Sequence, residues 1–183
     1  SLKDLQKLGV SAVAIGAGDH LKVDLGAGDL SVGAGELPHF GVMNADGTVG
    51  VDTSHDVTLG VSGLGQFGQV EGLESGGELD LTSLGIDNIE LSMVSHAELS
   101  GLSAGGVDLN ALLNNEVAAL QAHGLTVEVS DAAANALVSE GLHFTEGGVV
   151  VDGAHATHLG TSLKDLQKLG VSAVAIGAGD HLK

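Results

Sequence analysis

The first 22 residues of the chain return without a single substitution at its end. Residues 1–22 and residues 162–183 are identical, at an offset of 161 residues. Exact self-similarity limits the fold more than any local pattern, because it indicates a tandem-repeat architecture. We therefore expect residues 1–161 to form one full repeat module and residues 162–183 to begin the next. An engineered copy of the first segment is the alternative, and it would still imply that the segment completes the other end of the module.

The composition predicts many short elements around an aliphatic core. The chain has 30 Gly, one Pro and three Phe, and it lacks Trp, Tyr and Cys. Frequent Gly between short β-branched runs is typical of strands joined by tight turns. We expect an α/β or α+β fold: a strand-rich module with short strands, Gly turns and two to four short helices, stacking head-to-tail in an array. Helices that alternate with strands in the C-terminal half favour some parallel pairing.

Caps and periodicity place the individual elements. Helices are predicted where Leu2, Leu5 and Leu8 share one face, where the apolar stripe of residues 109–122 runs, and at residues 132–139. Ser and Asp three residues apart cap the first helix and its copy, and Gly9 and Gly170 end them. Residues 60–77 are Gly-rich and predict no clear element. Strands are predicted at 11–15, 21–25, 30–32, 48–52, 56–61, 78–81, 88–92, 126–129 and 149–152.

The charge distribution separates the duplicated segment from the rest of the chain. All six basic residues are Lys, and every one lies in a copy of the segment. Two Asp fall in each copy, so 20 of the 24 acidic residues lie in residues 23–161, which carry no Lys or Arg. This charge repels nucleic acid and anionic membranes, and no apolar run is long enough to span a bilayer.

Calcium is the cofactor that the acidic turns suggest, and otherwise we expect none. Calcium takes several carboxylate and carbonyl oxygens from bent backbone. Aspartates recur every five residues around two Gly-Ala-Gly-Asp turns, and a second acidic group follows a partial EF-hand-like turn at residues 44–47. The candidate ligands are Asp19, Asp24, Asp29, Asn44, Asp46, Asp52 and Asp56. Turn residues and solvated charges are the alternative interpretation.

Other motifs are weaker. Gly63, Gly65 and Gly68 match a dinucleotide fingerprint, but the residues that follow form a poor helix, which that fingerprint requires. His155 and His158 have zinc-ligand spacing without a third ligand. The chain has no Gly-x-Ser-x-Gly elbow, no Cys nucleophile and none of the Arg, Trp or Tyr that commonly grip substrates, so we expect no enzyme.

The exact long repeat, the acidic Cys-free composition and turns such as that of residues 26–29 resemble very large repetitive surface or secreted proteins of bacteria. Such proteins are often type I secretion substrates that act as adhesins or matrix components. The resemblance implies an extracellular or cell-surface location in a bacterium.

We accordingly expect a structural module that acts as a spacer or adhesive scaffold, with adjacent copies of itself as partners. Apolar burial by the segment's leucines is expected to dominate, with its lysines meeting acidic residues of the preceding module. The candidate interface residues are Leu2, Lys3, Leu5, Lys7, Leu8, Leu163, Lys164, Leu166, Lys168 and Leu169. The alternative function is binding of calcium, glycan or mineral through the acidic face.

Overall fold

A computed structural model describes residues 2–16, 19–26, 29–31, 37–51, 56–152 and 159–176. The helices within these residues are α1 Leu2–Lys7, α2 Leu64–Ser75, α3 His96–Ala104, α4 Leu109–Ala122, α5 Asp131–Ser139 and α6 Leu163–Leu169. The strands are β1 Ala12–Ala14, β2 His20–Asp24, β3 His39–Met43, β4 Val49–Gly50, β5 Asp56–Ser62, β6 Asn88–Met93, β7 Thr126–Ser130, β8 Val150–Asp152 and β9 Ala173–Ala175. The described residues also form two short 3-10 helices, Asp29–Ser31 and Thr82–Leu84.

The mixed α/β class is confirmed, but the expected number of helices was too low. Residues 1–161 contain five described α-helices, α1 to α5, rather than two to four, and α6 belongs to the second copy. The helix α3 was missed although a Ser caps its start: the Oγ of Ser95 accepts the backbone N–H of Glu98 at 3.1 Å. A Ser three residues before a Glu is a local signal for a helix start, and it was readable from the sequence.

Six strands form one parallel sheet whose spatial order follows the chain. The order is β2-β5-β6-β7-β8-β9, and each neighbouring pair is parallel. A second sheet has the order β1-β3-β4, with β1 parallel and β4 antiparallel to β3. Because parallel neighbours need a crossover connection, the helices α2 to α6 fall between successive strands from β5 to β9.

The two faces of the larger sheet differ in polarity. Side chains alternate along a strand, so Val57, Leu59 and Val61 of β5 share one face with Ile89 and Leu91 of β6, and all five are buried. The opposite face carries polar side chains, among them Thr58, Asn88, Glu90 and Glu128. The core therefore lies between one face of the sheet and the helices.

One turn ends most helices and leads into the next stretch of chain. In the sequence Leu-x-x-x-Gly followed by an apolar residue, the N–H of the apolar residue donates to the Leu carbonyl. This is a Schellman motif, which requires a left-handed residue and so selects Gly. The Leu–apolar pairs are Leu5–Val10, Leu81–Ile86, Leu102–Val107, Leu120–Leu125, Leu137–Leu142 and Leu166–Val171.

The Gly-rich residues 60–77 contain a strand end and a 12-residue helix, α2, where we predicted no clear element. Leu64, Phe67 and Val70 recur every three residues and are fully buried. A Cβ on Gly68 would lie 2.4 Å from a carboxylate oxygen of Glu116 in α4, so Gly at this position allows α2 and α4 to pack closely. Tertiary packing thus outweighs the low helix propensity of Gly.

Two predicted strands are wrong. Residues 78–81 lead into a 3-10 helix instead, because Asp80 accepts hydrogen bonds from the backbone N–H and hydroxyl of Ser83. Leu30 of the predicted strand 30–32 lies in the other 3-10 helix, where Asp29 binds the backbone N–H of Gly26 at 2.7 Å. In both places a short acidic side chain bonds to nearby backbone and competes with strand pairing.

Candidate module interface

The C-terminal copy of the segment is docked onto the module that precedes it. Its helix α6 packs against α5, and Leu166 and Leu169 are buried. The helix begins as predicted, with the Oγ of Ser162 accepting the N–H of Asp165 at 3.2 Å, and it ends at Gly170, which has a φ of 82°. The strand β9 then adds to the edge of the larger sheet beside β8.

Residues outside the duplicated segment prepare this docking site. Asp131 at the start of α5 accepts the N–H of Gly160 at 2.7 Å and that of Thr161 at 2.9 Å. The N–H of Phe144 donates to the carbonyl of Leu169 at 2.7 Å. A Cβ on Gly170 would lie 2.3 Å from the carbonyl oxygen of Phe144, so this approach requires Gly. Sequence analysis did not place Asp131 or Phe144 at this site, because the backbone groups that they contact lie about 25–30 residues away in the chain.

The N-terminal copy packs against a different part of the module. Leu2 is buried, and the backbone N–H of Lys3 donates to the Oδ1 of Asp29 at 3.2 Å. The strand β1 pairs with β3, and the N–H of Ile15 donates to the carbonyl of Gly41 at 2.8 Å. Asp29 is itself buried, so an acidic group from the module caps the segment's first helix.

The two copies expose complementary residues. Leu2 is 1% exposed, whereas its equivalent Leu163 is 77% exposed. Leu8 is 78% exposed, whereas its equivalent Leu169 is fully buried. Ile15 is 7% exposed and its equivalent Ile176 is 52% exposed. Each copy thus buries the apolar residues that the other leaves in solvent.

The lysines of the two helices bond within their own helices. The Nζ of Lys7 lies 3.5 Å from the Oδ1 of Asp4, and the Nζ of Lys168 lies 3.0 Å from the Oδ1 of Asp165. Exposed pairs of this kind contribute about 0–1 kcal/mol each. The expected contact between these lysines and acidic residues of a preceding module stays a prediction, as does that for Lys3 and Lys164.

Lys22, at the end of the first copy, contacts the body of the module. Its Nζ donates to the Oε1 of Glu90 at 2.7 Å, and Glu90 is fully buried on the polar face of the sheet. Burial raises the pKa of Glu90, while the neighbouring ammonium of Lys22 lowers it. This ion pair ties the first copy to the larger sheet.

Three of the candidate calcium ligands have partners within the protein. Asp29 accepts the two backbone N–H groups already described, from Lys3 and Gly26. Asp46 accepts the hydroxyl of Thr48 at 2.6 Å and its N–H at 3.0 Å, which lowers the pKa of Asp46. Asp56 lies 2.8 Å from the Nδ1 of His20 and also accepts the side-chain amide of Asn88. Hydrogen bonds and turns therefore account for these carboxylates.

The other candidate ligands are spread over separate turns and strands. Asp19 and Asp24 are exposed, and the Nδ2 of Asn44 donates to the hydroxyl of Thr48. Asp52 and the two histidines 155 and 158 lie outside the described residues. Within the part of the chain that the structure describes, no three His, Asp or Glu side chains are grouped so as to hold a metal ion.

The glycine fingerprint follows the predicted strand and opens a helix that the sequence did not predict. β5 ends at Ser62 and α2 begins at Leu64, so the expectation of a poor helix was wrong. The place of a phosphate at the helix start is taken by a carboxylate, because the N–H of Gly65 donates to the Oε1 of Glu98 at 2.9 Å. A side chain of α3 thus supplies the anion that the start of α2 favours.

Two buried glutamates in the module body are the most perturbed acids. Burial raises the pKa of Glu116 to about 7, and the nearby carboxylates of Glu71 and Glu98 contribute. Burial also raises the pKa of Glu128 to about 7, with Asp152 the next largest cause. Single acidic residues inside apolar runs, as in residues 126–129, were the signal that sequence analysis passed over.

Comparison of the chain with protein-family models, with curated proteins and with solved structures found no match. Among the described helices, none combines the length and the apolar character needed to cross a membrane. The fold defines the class: a mixed α/β protein built on a sequentially ordered parallel sheet.

Proposed function

We propose that this protein is a structural tandem-repeat module, and that the duplicated segment is the joint between adjacent modules. One observation carries the proposal: the same sequence buries Leu2 and Ile15 at one end of the module and Leu166 and Leu169 at the other. A segment placed between two modules would bury both sets at once.

The energetics favour such a joint. Leu8, Leu163 and Ile176 are exposed at the ends of the single module. Burying one such side chain completely contributes about 1.5–3 kcal/mol. A joint that covers all three would therefore exceed what exposed lysine pairs add. Apolar contacts hold the modules in this account, and the lysines set solubility and orientation.

The acidic body supports a role as a spacer or scaffold. Residues 23–161 have no Lys or Arg, so the bodies of successive modules repel each other except at the joints. Repulsion of this kind favours an extended arrangement. The repeat style and the composition support a place outside a bacterial cell, where such an array would separate or attach surfaces without catalysing a reaction.

A chain with residues 1–161 placed directly before the full 183-residue chain tests the proposal. This two-module chain contains one central copy of the segment, which belongs to both modules. We expect it to unfold in one transition, several degrees above the melting temperature of the single chain. Equal melting temperatures for the two chains would contradict the proposal.

The matched control for this experiment is Leu8→Asp in the first copy of the two-module chain. Leu8 of that copy remains exposed, so the control variant should keep the raised melting temperature. The same substitution in the central copy should abolish the rise in melting temperature.

Thermal unfolding with millimolar calcium, compared with magnesium, separates the spacer from the calcium-binding alternative. The spacer predicts no calcium-specific shift of the melting temperature.

A further inference from the structure

The strand β6 shows how a strand of this type sits between two parallel neighbours. At its entry, the N–H of Asp87 donates to the carbonyl of Val57 at 3.0 Å, on the side of β5. The carbonyl of the same Asp87 accepts the N–H of Thr126 at 3.0 Å, on the side of β7. The next residue, Asn88, is in register with Thr58 on one side and with Thr126 on the other.

The sequence before and within β6 resembles the duplicated segment. Leu-Gly-Ile-Asp-Asn-Ile-Glu-Leu at residues 84–91 corresponds to Leu-Gly-Val-Ser-Ala-Val-Ala-Ile at residues 8–15 and 169–176. In this correspondence Asp87 is equivalent to Ser11 and to Ser172. The conformation agrees as well, because Gly85 and Gly170 have φ values of 81° and 82°.

Each copy of the segment makes one half of the contacts made by β6. The N–H of Ser172 donates to the carbonyl of Val149 at 2.8 Å, and Ala173 is in register with Val150 of β8. This is the contact that Asp87 makes with the preceding strand.

The other half belongs to the first copy. The carbonyl of Ser11 accepts the N–H of His39 at 3.0 Å, and Ala12 is in register with His39 of β3. This is the contact that Asp87 makes with the following strand. The two halves use opposite edges of one strand, so one copy has room for both.

The glycine turn before the strand provides independent evidence that the first copy lacks a neighbour on one side. A Cβ on Gly85 would lie 2.1 Å from the carbonyl oxygen of Phe40, and one on Gly170 would lie 2.3 Å from that of Phe144. The equivalent Gly9 has nothing within 4 Å of such a Cβ. The space beside Gly9 is therefore open. In the second copy, the loop before β8 fills the equivalent space beside Gly170.

From these contacts we infer that adjacent modules share the strand of the duplicated segment and thereby form one continuous sheet. The inference rests on the proposed function and names its partner: a second copy of this module. Across a joint, the order would be β7-β8, then the shared strand, then β3-β4 of the next module. The shared strand pairs with β8 of the module before it and with β3 of the module after it.

Side-chain alternation agrees with this arrangement. Ile89 and Leu91 lie on the apolar face of β6, and their equivalents in the segment are Val13 and Ile15, or Val174 and Ile176. On the opposite face the segment has only Ala. A shared strand would thus continue the apolar face of the larger sheet through the joint.

Amide hydrogen exchange, measured by NMR on the two-module chain, tests the inference. The N–H groups of Val13 and Ala14 point to opposite edges of the strand. In the first copy we expect protection at Val13, which faces β3, and fast exchange at Ala14. In the last copy we expect the reverse, with protection at Ala175 and fast exchange at Val174. In the central copy both positions should exchange more slowly than at the free edges, by roughly tenfold or more.

The possible outcomes separate the inference from the proposed function. If one of the two central amides exchanges as fast as at a free edge while the melting temperature still rises, the joint exists but no strand is shared. If neither protection nor melting temperature changes, the proposed function fails as well.

Proline substitutions in the 183-residue chain check the edge assignment without a second module, since Pro removes the N–H donor. Val13→Pro and Ala175→Pro should lower the melting temperature more than the equivalent substitutions Val174→Pro and Ala14→Pro. Equal effects within each matched pair would overturn the assignment.

Discussion

At the start of the chain, the first leucine of the duplicated segment is buried and the third is in solvent; at the end of the chain, the third is buried and the first is in solvent. The sequence of the two copies is the same, so the difference is due to the surfaces that each copy meets. A helix whose leucines are half exposed in either place has more apolar surface than one module covers. The comparison therefore indicates a segment whose apolar side chains suit contacts with two neighbouring modules.

Substituting equivalent leucines should give opposite results in the two copies. Leu169→Ala removes a fully buried side chain and should lower the free energy of unfolding by about 2–5 kcal/mol. Leu8→Ala, the same substitution in the first copy, should change it by less than about 0.5 kcal/mol, because Leu8 is exposed. Urea unfolding of the two variants measures both values.

The reverse pair completes this test. Leu2→Ala should destabilise the chain and Leu163→Ala should not, since Leu2 is buried and Leu163 is exposed. If all four variants lost equal stability, the loss would not depend on burial, and the two environments would be irrelevant.

Substitution of a lysine should also cost different amounts of stability in the two copies. Lys22→Met leaves the buried Glu90 without its ammonium partner and should destabilise the chain by about 1.5–3 kcal/mol at neutral pH. Lys168→Met removes an exposed pair within α6 and should cost less than about 1 kcal/mol. Comparable losses from both variants would mean that the contact between Lys22 and Glu90 adds nothing to stability.

The buried acids of the module body should make the stability of the fold depend on pH, whether or not joints form. The pKa of Glu116 and that of Glu128 are about 7 in the folded protein, above the ordinary value of 4.5, so the folded state binds protons more tightly than the unfolded state. Their stabilising effect is complete below about pH 4.5 and is lost as the pH rises through about 7. The melting temperature should accordingly be higher at pH 5 than at pH 8.

Glu116→Gln assigns part of this pH dependence to one residue. The amide resembles the protonated acid, so the variant should gain up to about 3 kcal/mol at pH 8, given about 1.4 kcal/mol for each pKa unit between 4.5 and about 7, and little at pH 5. Glu146→Gln, at an exposed position, is the matched control and should change neither value. An unchanged pH profile in Glu116→Gln would refute the assignment.

The smallest expected effect concerns how the segment's helix begins. Ser162 caps α6 with its own hydroxyl, so Ser162→Ala should cost about 1 kcal/mol. In the first copy, Asp29 of the module accepts the N–H of Lys3. Ser162→Thr should keep most of the stability, and a loss as large as that of the Ala variant would argue against a capping role.

Local signals predicted the elements that depend on local chemistry. The caps and stops of α4, α5 and α6 follow from Ser or Asp at one end and Gly near the other, and the predicted strands 88–92 and 126–129 correspond to β6 and β7. The duplication itself pointed to the interface leucines. The sequence did not show which leucine each copy buries, because that depends on α5 and β3, which lie far away in the chain.

Tertiary contacts determined the structure where the sequence pattern did not predict it. The helix α2 has three Gly within its 12 residues, and its packing against α4 at Gly68 outweighs its poor helix propensity. Three of the aspartates that suggested calcium form hydrogen bonds with partners, such as Lys3 and His20, that are ordinary residues in the sequence. Residue spacing alone does not distinguish such partners from a metal ion.

The most direct test of the joint replaces leucines of the central copy in the two-module chain. In that copy, the leucine equivalent to Leu2 and Leu163 and the leucine equivalent to Leu8 and Leu169 each face a neighbour. Substituting either one with Ala should lower the free energy of unfolding by about 2–5 kcal/mol. If either substitution is tolerated as it is at the exposed end of the single module, the segment does not serve two modules at once.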